Sequence, residues 1–277
     1  MWFTASAAAA WLDLELWRSW HVPDFSLKQK LRSGRATVGA WVTLGHPAIA
    51  EIMAAAGFDW VVVDLEHSVT SIERAAELIR AIDRYAAAPL VRLTSSNPDQ
   101  AKRLMDAGAH GIIVPMVNTV MDARRAVEMV RYGPEGTRGV GLGRAQGYGA
   151  RFQQYLAWQR EEPIVVVQIE HIAAIEVLPE ILSVPGVDGY FVGPYDLSCS
   201  MGRPGEFSHP EFTAAMDRIR TVGQQSGLPG GLHIVEPDTG ALRQALADGH
   251  RFIAYSVDIR MLDVAARAGV ALVNESK

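Results

Sequence analysis

Residues Pro163 to Ser198 read PIVVVQIEHIAAIEVLPEILSVPGVDGYFVGPYDLS, and this stretch decides the fold. Ile164 to Ile169 is a continuous apolar run that is too short for a helix, as expected of a parallel strand covered on both faces. A second such run spans Gly189 to Val192, and the helical spacing of Ile172 to Leu182 lies between the two runs. The stretch therefore predicts a strand, a crossover helix and a second, parallel strand.

Each of these two strands ends in a carboxylate. Glu170 follows the first strand and Asp196 follows the second, so both lie at the carboxyl edge of the sheet, where parallel α/β folds bind ligands. Two carboxylates leave several positions around a hard divalent cation to water or substrate oxygens, which suits Mg²⁺ or Mn²⁺. Spacing alone also allows a simpler interpretation, in which Glu170 pairs with a nearby base and Asp196 caps the helix that starts near Leu197.

The same alternation continues along the rest of the chain. Further strands are predicted at Val38 to Leu44, Trp60 to Asp64, Leu90 to Leu93, Gly111 to Pro115, Gly231 to Ile234 and Arg251 to Val257. Further helices are predicted at Ser26 to Leu31, Ala48 to Ala56, Ile72 to Tyr85, Pro98 to Ala107, Val120 to Tyr132, Pro210 to Gln225, Thr239 to Ala247 and Met261 to Ala268. Eight strands that alternate with helices predict a single (β/α)₈ barrel over residues 25 to 277. Residues 1 to 24 are interpreted as an added amphipathic helix.

Composition points to a small-molecule ligand. The 277 residues carry a net charge of −5 without a lysine and arginine cluster, which argues against nucleic acid or an anionic membrane as a partner. No run of apolar residues is long enough to span a bilayer. The single cysteine, Cys199, excludes an intrachain disulfide and fits a reducing compartment such as the cytoplasm.

Polar residues gather where the predicted strands end. Asp64 and His67 stand three residues apart, so the carboxylate is placed to bond one imidazole nitrogen and make the histidine a better base, although a local turn explains the spacing equally well. Arg92 ends an apolar strand and needs an anion, which is Asp64, Glu66 or a negatively charged substrate group.

Two further loops carry charged or backbone ligands. The turn at Gly193 and Tyr195 opens a helix, and its free N–H groups are placed to hold a substrate carboxylate while Asp196 holds the metal. The glycine-rich loop over residues 133 to 149 lacks a nucleotide-binding register. Its Arg138 and Arg144 are interpreted as partners of acidic side chains rather than of an anionic substrate.

Seven motifs between Leu27 and Val270 carry a resemblance to a known family. They are GAW from Gly39, AAAGFDWVVVDLEHS from Ala54, PLVRL from Pro89, MDAGAHGIIVPMV from Met105, EGTRGVG from Glu135, VVQIE from Val166 and GPYDLS from Gly193. In these pieces and their order, the chain resembles the HpcH/HpaI aldolases. These are metal-dependent class II pyruvate aldolases that act on 4-hydroxy-2-oxoheptanedioate or 2-keto-3-deoxy sugar acids.

The resemblance implies a barrel of the phosphoenolpyruvate/pyruvate type that cleaves a 4-hydroxy-2-oxo acid reversibly to pyruvate and an aldehyde. Glu170 and Asp196 would hold a divalent cation, Mg²⁺ or Mn²⁺, with Co²⁺ or Zn²⁺ as alternatives. Gln168 and the backbone at Tyr195 would hold pyruvate. Family members exchange their last helix between subunits and assemble as hexamers of swapped dimers, so a homo-oligomer is expected.

The catalytic roles also come from the resemblance. His67 would be the general base, with Asp64 and Asp106 raising its basicity, and Arg92 would stabilise the enolate. No lysine lies at a strand end, which argues against a Schiff-base aldolase.

Two histidines depart from the family pattern. His46 and His233 are placed to alter the aldehyde pocket. Trp41, at the end of the first strand, and His46, in the loop after it, are candidates for substrate binding. A CoA-ester lyase like the citrate lyase β subunit is the nearest alternative, but such lyases tend to have aspartate where this chain has His67. A non-catalytic barrel that acts as a binding or assembly scaffold is the alternative from another class.

Overall fold

The computed structural model describes residues 26–275, and these residues form a closed barrel of eight parallel strands. Every strand pairs with its neighbours in the sequence, and the last strand pairs with the first. The predicted (β/α)₈ barrel is confirmed. The helix predicted over residues 1 to 24 lies outside the described residues.

The strands are β1 Thr37–Val42, β2 Trp60–Asp64, β3 Ala88–Arg92, β4 Gly111–Val114, β5 Ile164–Ile169, β6 Gly189–Val192, β7 Gly230–Ile234 and β8 Phe252–Val257. The helices are α1 Leu27–Arg32, α2 Pro47–Ala55, α3 Ile72–Ile82, α4 Pro98–Ala107, α5 Val120–Glu128, α6 Phe152–Glu161, α7 Ile172–Glu176, α8 Leu178–Leu182, α9 Pro194–Ser200, α10 Pro210–Ser226, α11 Thr239–Ala247 and α12 Asp258–Glu275. No helix among these is long and apolar enough to cross a bilayer.

Several helices differ from the prediction by a few residues at their ends, such as α5, which ends at Glu128 rather than Tyr132, and three differ more. The helix expected over Ile172 to Leu182 is two short helices, because Pro179 has no N–H to continue the hydrogen bonds of α7. The last helix runs on to Glu275. Helix α6 was not predicted, because its buried positions are Tyr155 and the polar Gln159, which leave no apolar period in the sequence.

The apolar core has two layers, one inside the barrel and one between the sheet and the helices. Inside the barrel, Trp60 is fully buried and stacks on Phe252 at 4.3 Å between ring centroids. Gly39 makes room for this ring, since a Cβ there would lie 2.0 Å from Trp60 Cδ2. Large aromatic rings thus fill the barrel below its carboxyl end and leave the chemistry to the mouth above.

The seam between β1 and β8 is held at the mouth by one buried carboxylate. Asp258, at the start of α12, accepts hydrogen bonds from the backbone N–H groups of Thr43 and Leu44 at 2.9–3.1 Å. The Thr43 hydroxyl donates to the same carboxylate at 2.8 Å. Because hydrogen bonds engage both of its oxygens, we assign Asp258 a structural role, which is to hold β1 and β8 together.

Candidate active site

The carboxyl ends of the strands open into a mouth lined with polar side chains. Asp64 and Arg92 end β2 and β3 and are aligned in the register between these strands. Gln168 lies one residue before the end of β5, and Glu170 directly follows that strand. The structure therefore brings these four predicted residues to one edge of the barrel.

The Arg92 guanidinium is held by two carboxylates and one aromatic ring. Its Nε and Nη2 donate to the two Asp64 oxygens at 2.8 Å and 2.6 Å, and Nη1 lies 3.3 Å from Glu66 Oε2. Its central carbon lies 4.5 Å from the centroid of the Trp41 ring. Both carboxylates that the sequence offered as partners are engaged, and the planar fork of arginine fits this arrangement as lysine would not.

Glu170 is buried and lies within electrostatic reach of a second acid. Its Oε1 accepts the Met116 N–H at 2.6 Å, and its Oε2 accepts the amide of Gln168. Burial raises the pKa of Glu170, and the nearby charge of Asp196 raises it further against the opposing hydrogen bonds. No basic side chain within residues 26–275 forms a salt bridge with Glu170, so the simpler interpretation of this carboxylate as an ion-pair partner is not realised.

Glu66 is the residue whose chemistry the sequence did not reveal. Burial, opposed by Arg92 and reinforced by Glu170, raises its pKa to about 7. Its Oε2 is close enough to Arg92 for an ion pair but is not aligned for a hydrogen bond. A carboxyl with a pKa near neutrality in a mouth of this kind is suited to proton transfer.

We expect Glu66→Gln to stabilise the EDTA-treated protein at pH 8 and to have little effect at pH 4. The raised pKa of Glu66 means that its stability contribution is full below its ordinary value of 4.5 and is lost as the pH rises through about 7. One pKa unit corresponds to about 1.36 kcal/mol, and the partial exposure of Glu66 reduces the effect. The variant should therefore gain on the order of 2 kcal/mol in the free energy of unfolding at pH 8. Thermal unfolding at both pH values measures it, with exposed Glu73→Gln as the control. Equal shifts at both pH values would contradict the assignment.

His67 is placed differently from the expectation. Asp64 accepts a hydrogen bond from the backbone N–H of His67 at 3.4 Å, and both of its oxygens accept hydrogen bonds from the Arg92 guanidinium. Asp64 therefore does not bond the imidazole. The ring is 65% exposed, and its Nε2 lies 4.0 Å from Glu66 Oε2. The acid beside the imidazole is therefore Glu66, because Arg92 competes for Asp64.

Asp106 and the two arginines of the glycine-rich loop form structural pairs. Asp106 on α4 accepts from Arg138, and Asp83 accepts from Arg144 at 2.5 Å. The interpretation of both arginines as partners of acidic side chains is confirmed. In this chain Asp106 contacts Arg138 rather than His67, so its proposed effect on the base is not supported by a contact among the described residues.

The loop after β6 brings backbone close to Glu170. Gly193 precedes α9, and a Cβ on Gly193 would lie only 2.6 Å from Glu170 Oε2. Asp196 and Tyr195 lie on the first turn of α9, where both side chains are exposed. The N-cap of α9 is Gly193, which has no side chain, so the simpler interpretation of Asp196 as a cap is not realised. The Gly193 N–H, which was expected to be free for a ligand, donates to the Ile169 carbonyl at 3.2 Å.

Comparison with known sequences identifies the family. A sequence profile of the HpcH/HpaI aldolase/citrate lyase family matches residues 37–264, which contain all eight strands and the mouth. The chain belongs to the HpcH/HpaI aldolase/citrate lyase family. The resemblance carried by the seven motifs is thereby confirmed.

Relatives within this family match most of the chain. A 4-hydroxy-2-oxo-heptane-1,7-dioate aldolase from Escherichia coli is 39% identical over 88% of this chain and 92% of its own length. A hydroxypyruvate/pyruvate aldolase from Sagittula stellata is also 39% identical, over 89% of this chain and 97% of its own length. The crystal structure of an HpcH/HpaI aldolase/citrate lyase family protein from Burkholderia cenocepacia superimposes with a TM-score of 0.84 at 36% identity, covering 90% of this chain and 99% of that chain.

The mouth of this HpcH/HpaI family member fits a divalent cation with oxygen ligands. Within residues 26–275, no three or more His, Cys, Asp or Glu side chains cluster to enclose a metal. What the mouth offers is the mutually repelling carboxylates of Glu170 and Asp196, together with the buried Oε1 of Gln168, which has no hydrogen-bond partner in the described part of the chain. A hard cation relieves that repulsion and leaves positions for water and substrate oxygens.

The two residues predicted on the first strand and its loop lie in different surroundings. Trp41 is 4% exposed and faces the barrel interior beside Arg92. His46 is exposed and caps α2 by accepting the Ala48 N–H on its Nδ1 at 3.2 Å. Capping engages Nδ1 of this ring in a structural hydrogen bond. The substrate-binding role of His46 stays a prediction.

Proposed function

We propose that this chain catalyses the reversible aldol cleavage of a 4-hydroxy-2-oxo acid to pyruvate and an aldehyde, as a carbon–carbon lyase. Two aldolases that are 39% identical over most of the chain support this activity. The observation that carries it is the pair of repelling carboxylates, Glu170 and Asp196, in the same mouth as the Arg92 guanidinium. Such a mouth binds an oxygen-rich anion and stabilises negative charge that develops on it.

A divalent cation is the cofactor in this proposal, held by Glu170 and Asp196. Mg²⁺ or Mn²⁺ suits two carboxylates better than Co²⁺ or Zn²⁺, which favour nitrogen and sulfur ligands. When bound, the cation supplies Lewis-acid stabilisation of the charge on the ketone oxygen.

The protein holds the 2-oxo acid with groups from β3, from β5 and from the start of α9. The Gln168 side chain and the backbone N–H of Tyr195 bind the carboxylate end of the substrate, since Pro194 has no N–H and the Gly193 N–H donates to the Ile169 carbonyl at 3.2 Å. Arg92 is fixed by Asp64, so its guanidinium faces the ketone oxygen without reorganising during the reaction.

His67 moves the proton. In the cleavage direction its neutral imidazole accepts the proton of the C4 hydroxyl as the C3–C4 bond breaks. The electron pair of that bond moves through C3 to the ketone oxygen, and the aldehyde leaves. A proton delivered to C3 then gives pyruvate. Positioned proton transfer of this kind contributes roughly 10²- to 10⁴-fold, and Glu66, whose pKa is about 7, is the second group able to carry a proton here.

The test is pyruvate release from a panel of 4-hydroxy-2-oxo acids after EDTA treatment, with Mg²⁺ or Mn²⁺ added back. We expect release that depends on the added metal. A chain that releases no pyruvate from any acid, yet cleaves CoA thioesters of 3-hydroxy acids, would favour the CoA-ester lyase instead. Inactivity on both panels would favour the scaffold interpretation.

We expect Gly193→Ala to lower turnover roughly 10²-fold while the barrel stays folded. The new methyl group would lie 2.6 Å from Glu170 Oε2 and 2.9 Å from Glu170 Cβ, so the carboxylate has to move. Displacement of a catalytic group by about 1 Å costs this much. Steady-state pyruvate release and thermal unfolding are measured together. Gly139→Ala is the control, because its methyl would meet Lys102 at an ordinary 3.9 Å, and equal activity of the two variants would contradict the expectation.

A homo-oligomer is part of the proposal. Helix α12 leaves the barrel with exposed apolar residues, including Leu262 at 60%, Val270 at 61% and Val273 at 57%. A second copy of the chain covers such a stripe when the last helix is exchanged, and swapped dimers then form a hexamer. Light scattering on a sizing column should give the hexamer mass for the wild type and a smaller mass for Leu262→Glu/Val270→Glu. A monomeric wild type would contradict this assembly.

A further inference from the structure

One layer of four side chains closes the bottom of the mouth. The register aligns Arg92 on β3, through β4, with the position on β5 that lies two residues before Gln168. Gln168 is therefore reached by moving two strands around the barrel and two residues towards its carboxyl end. The same step leads on to His233 on β7, then to Trp41 on β1, and back to Arg92. Alternate strands of a (β/α)₈ barrel build interior layers in this way, so we call these four side chains the floor layer.

Three members of the floor layer carry a buried polar atom without a hydrogen-bond partner among residues 26–275. These atoms are Nε1 of Trp41, Oε1 of Gln168 and Nε2 of His233. Trp41 and Gln168 are only 4% and 6% exposed. Buried polar atoms are almost always paired, because an unpaired one forfeits its bonds to water. Three such atoms in one layer indicate that a polar group binds there.

His233 presents a hydrogen-bond acceptor to this layer. Burial lowers the pKa of His233 to about 4 against the opposing effect of a bond to the Ser256 backbone, so the ring is neutral near pH 7. Because Nε2 has no hydrogen-bond partner among the residues that the structure describes, that bond comes from Nδ1, whose N–H donates to the Ser256 carbonyl. The lone pair of the neutral ring therefore lies on Nε2. The His233 ring lies 5.7 Å from the Trp41 ring.

The backbone beside His233 is held in an unusual conformation. Ser256 has a φ of 62°, and its hydroxyl donates to the Val235 carbonyl at 2.8 Å. The register between β1 and β8 shifts at the same level, between Gly39 and Trp41. Left-handed non-glycine residues and bulges cost free energy and concentrate at functional sites. Here they fix the carbonyl that orients the imidazole.

We propose that the floor layer is a subsite for a hydroxyl group on C3 of the 2-oxo acid donor, and that His233 Nε2 accepts the hydrogen bond of that hydroxyl. This inference rests on the proposed function, since Arg92 and Gln168 in the same layer are the groups assigned to the donor. A hydroxyl both donates and accepts, so it pairs His233 Nε2 and the N–H of Trp41, whereas the methyl group of pyruvate pairs neither. His233 is thus a specificity-determining residue that favours 3-hydroxy-2-oxo acids as donors.

The test compares the binding of hydroxypyruvate and pyruvate by calorimetry in Mg²⁺. We expect His233→Leu to weaken hydroxypyruvate binding about tenfold, the effect of one net hydrogen bond, and to change pyruvate binding less than about twofold. His233→Gln, whose amide oxygen reaches the Nε2 position, should keep the wild-type ratio of the two dissociation constants, and the shorter His233→Asn should not. His250→Leu is the matched control, because His250 precedes β8 at the opposite face of the barrel.

The outcomes separate this subsite from the proposed function. An unchanged ratio in both His233→Leu and His233→Asn overturns the subsite, and so does an equal loss of both ligands. A wild type that binds neither donor overturns the subsite and the proposed function together. Aldol product is measured on the same samples: a hydroxypyruvate preference that depends on His233 without any product leaves the subsite standing and disproves the aldolase.

Discussion

Glu170→Gln should reduce pyruvate formation by at least about 10³-fold at saturating Mg²⁺. The amide keeps the volume of the side chain and still offers an oxygen to the Met116 N–H, but it removes one of the two carboxylates assigned to the cation. Stabilisation of developing charge by a metal is worth several kcal/mol, which corresponds to this factor. Pyruvate release measures the activity, and a Mn²⁺ titration followed by electron paramagnetic resonance measures the metal affinity directly.

The same variant should be more stable than the wild type in EDTA at pH 8. The pKa of Glu170 is raised chiefly by burial, so ionisation above that pKa destabilises the folded state and the neutral amide avoids this cost. Lost activity together with gained stability distinguishes a functional carboxylate from a structural one. Glu176→Gln, the same exchange at an exposed position of α7, is the control. Activity of Glu170→Gln within tenfold of the wild type would remove Glu170 from the site.

Arg92→Leu should destabilise the protein by about 3–5 kcal/mol and lower turnover at least about 10²-fold. Its removal leaves the Asp64 carboxylate, 2% exposed, buried without its cation. The activity falls for a separate reason, because the variant loses the guanidinium that we propose stabilises the charge on the ketone oxygen. Urea unfolding and pyruvate release measure the two effects independently.

The double variant Asp64→Asn/Arg92→Leu separates these two effects. It should recover most of the lost stability but none of the activity, since it also removes the charge of Asp64, the more deeply buried of the two carboxylates that pair with Arg92. Arg203→Leu serves as the surface control, because Arg203 is 38% exposed in its pairs with Glu206 and Glu211 and should cost at most about 1 kcal/mol. Recovery of activity in the double variant would show that Arg92 acts only through the fold.

The barrel was predictable because its strands are buried on both faces. Runs such as Trp60–Asp64 and Ile164–Ile169 are apolar except for Asp64 and Gln168 near their carboxyl ends, and their bounds in the structure equal the predicted ones. A parallel barrel also brings residues that follow different strands to one edge, so Arg92, Glu170 and Asp64 were found from the sequence order alone. Helix α6 was missed because it buries Gln159, whose Oε1 accepts the Tyr132 N–H at 2.9 Å.

Sequence order does not say which partner a side chain selects. Asp64 was expected to orient His67, and it binds Arg92 instead because the register places these two residues side by side on adjacent strands. The pKa of Glu66 near 7 depends on its burial and on acids that follow other strands. Both facts arise from distances across the mouth, which exist only once the barrel has closed.

The barrel closes late in folding, because the contacts that close it join the two ends of the sequence. The Asp258 carboxylate binds the amide of Thr43, 215 residues away in sequence, and β1 pairs with β8 over the same span. Contacts between such distant segments slow folding, because a long loop must be ordered before they form. A nascent chain on the ribosome has its first strand long before its eighth, so we expect the floor layer and the mouth to assemble only after synthesis of the last strand.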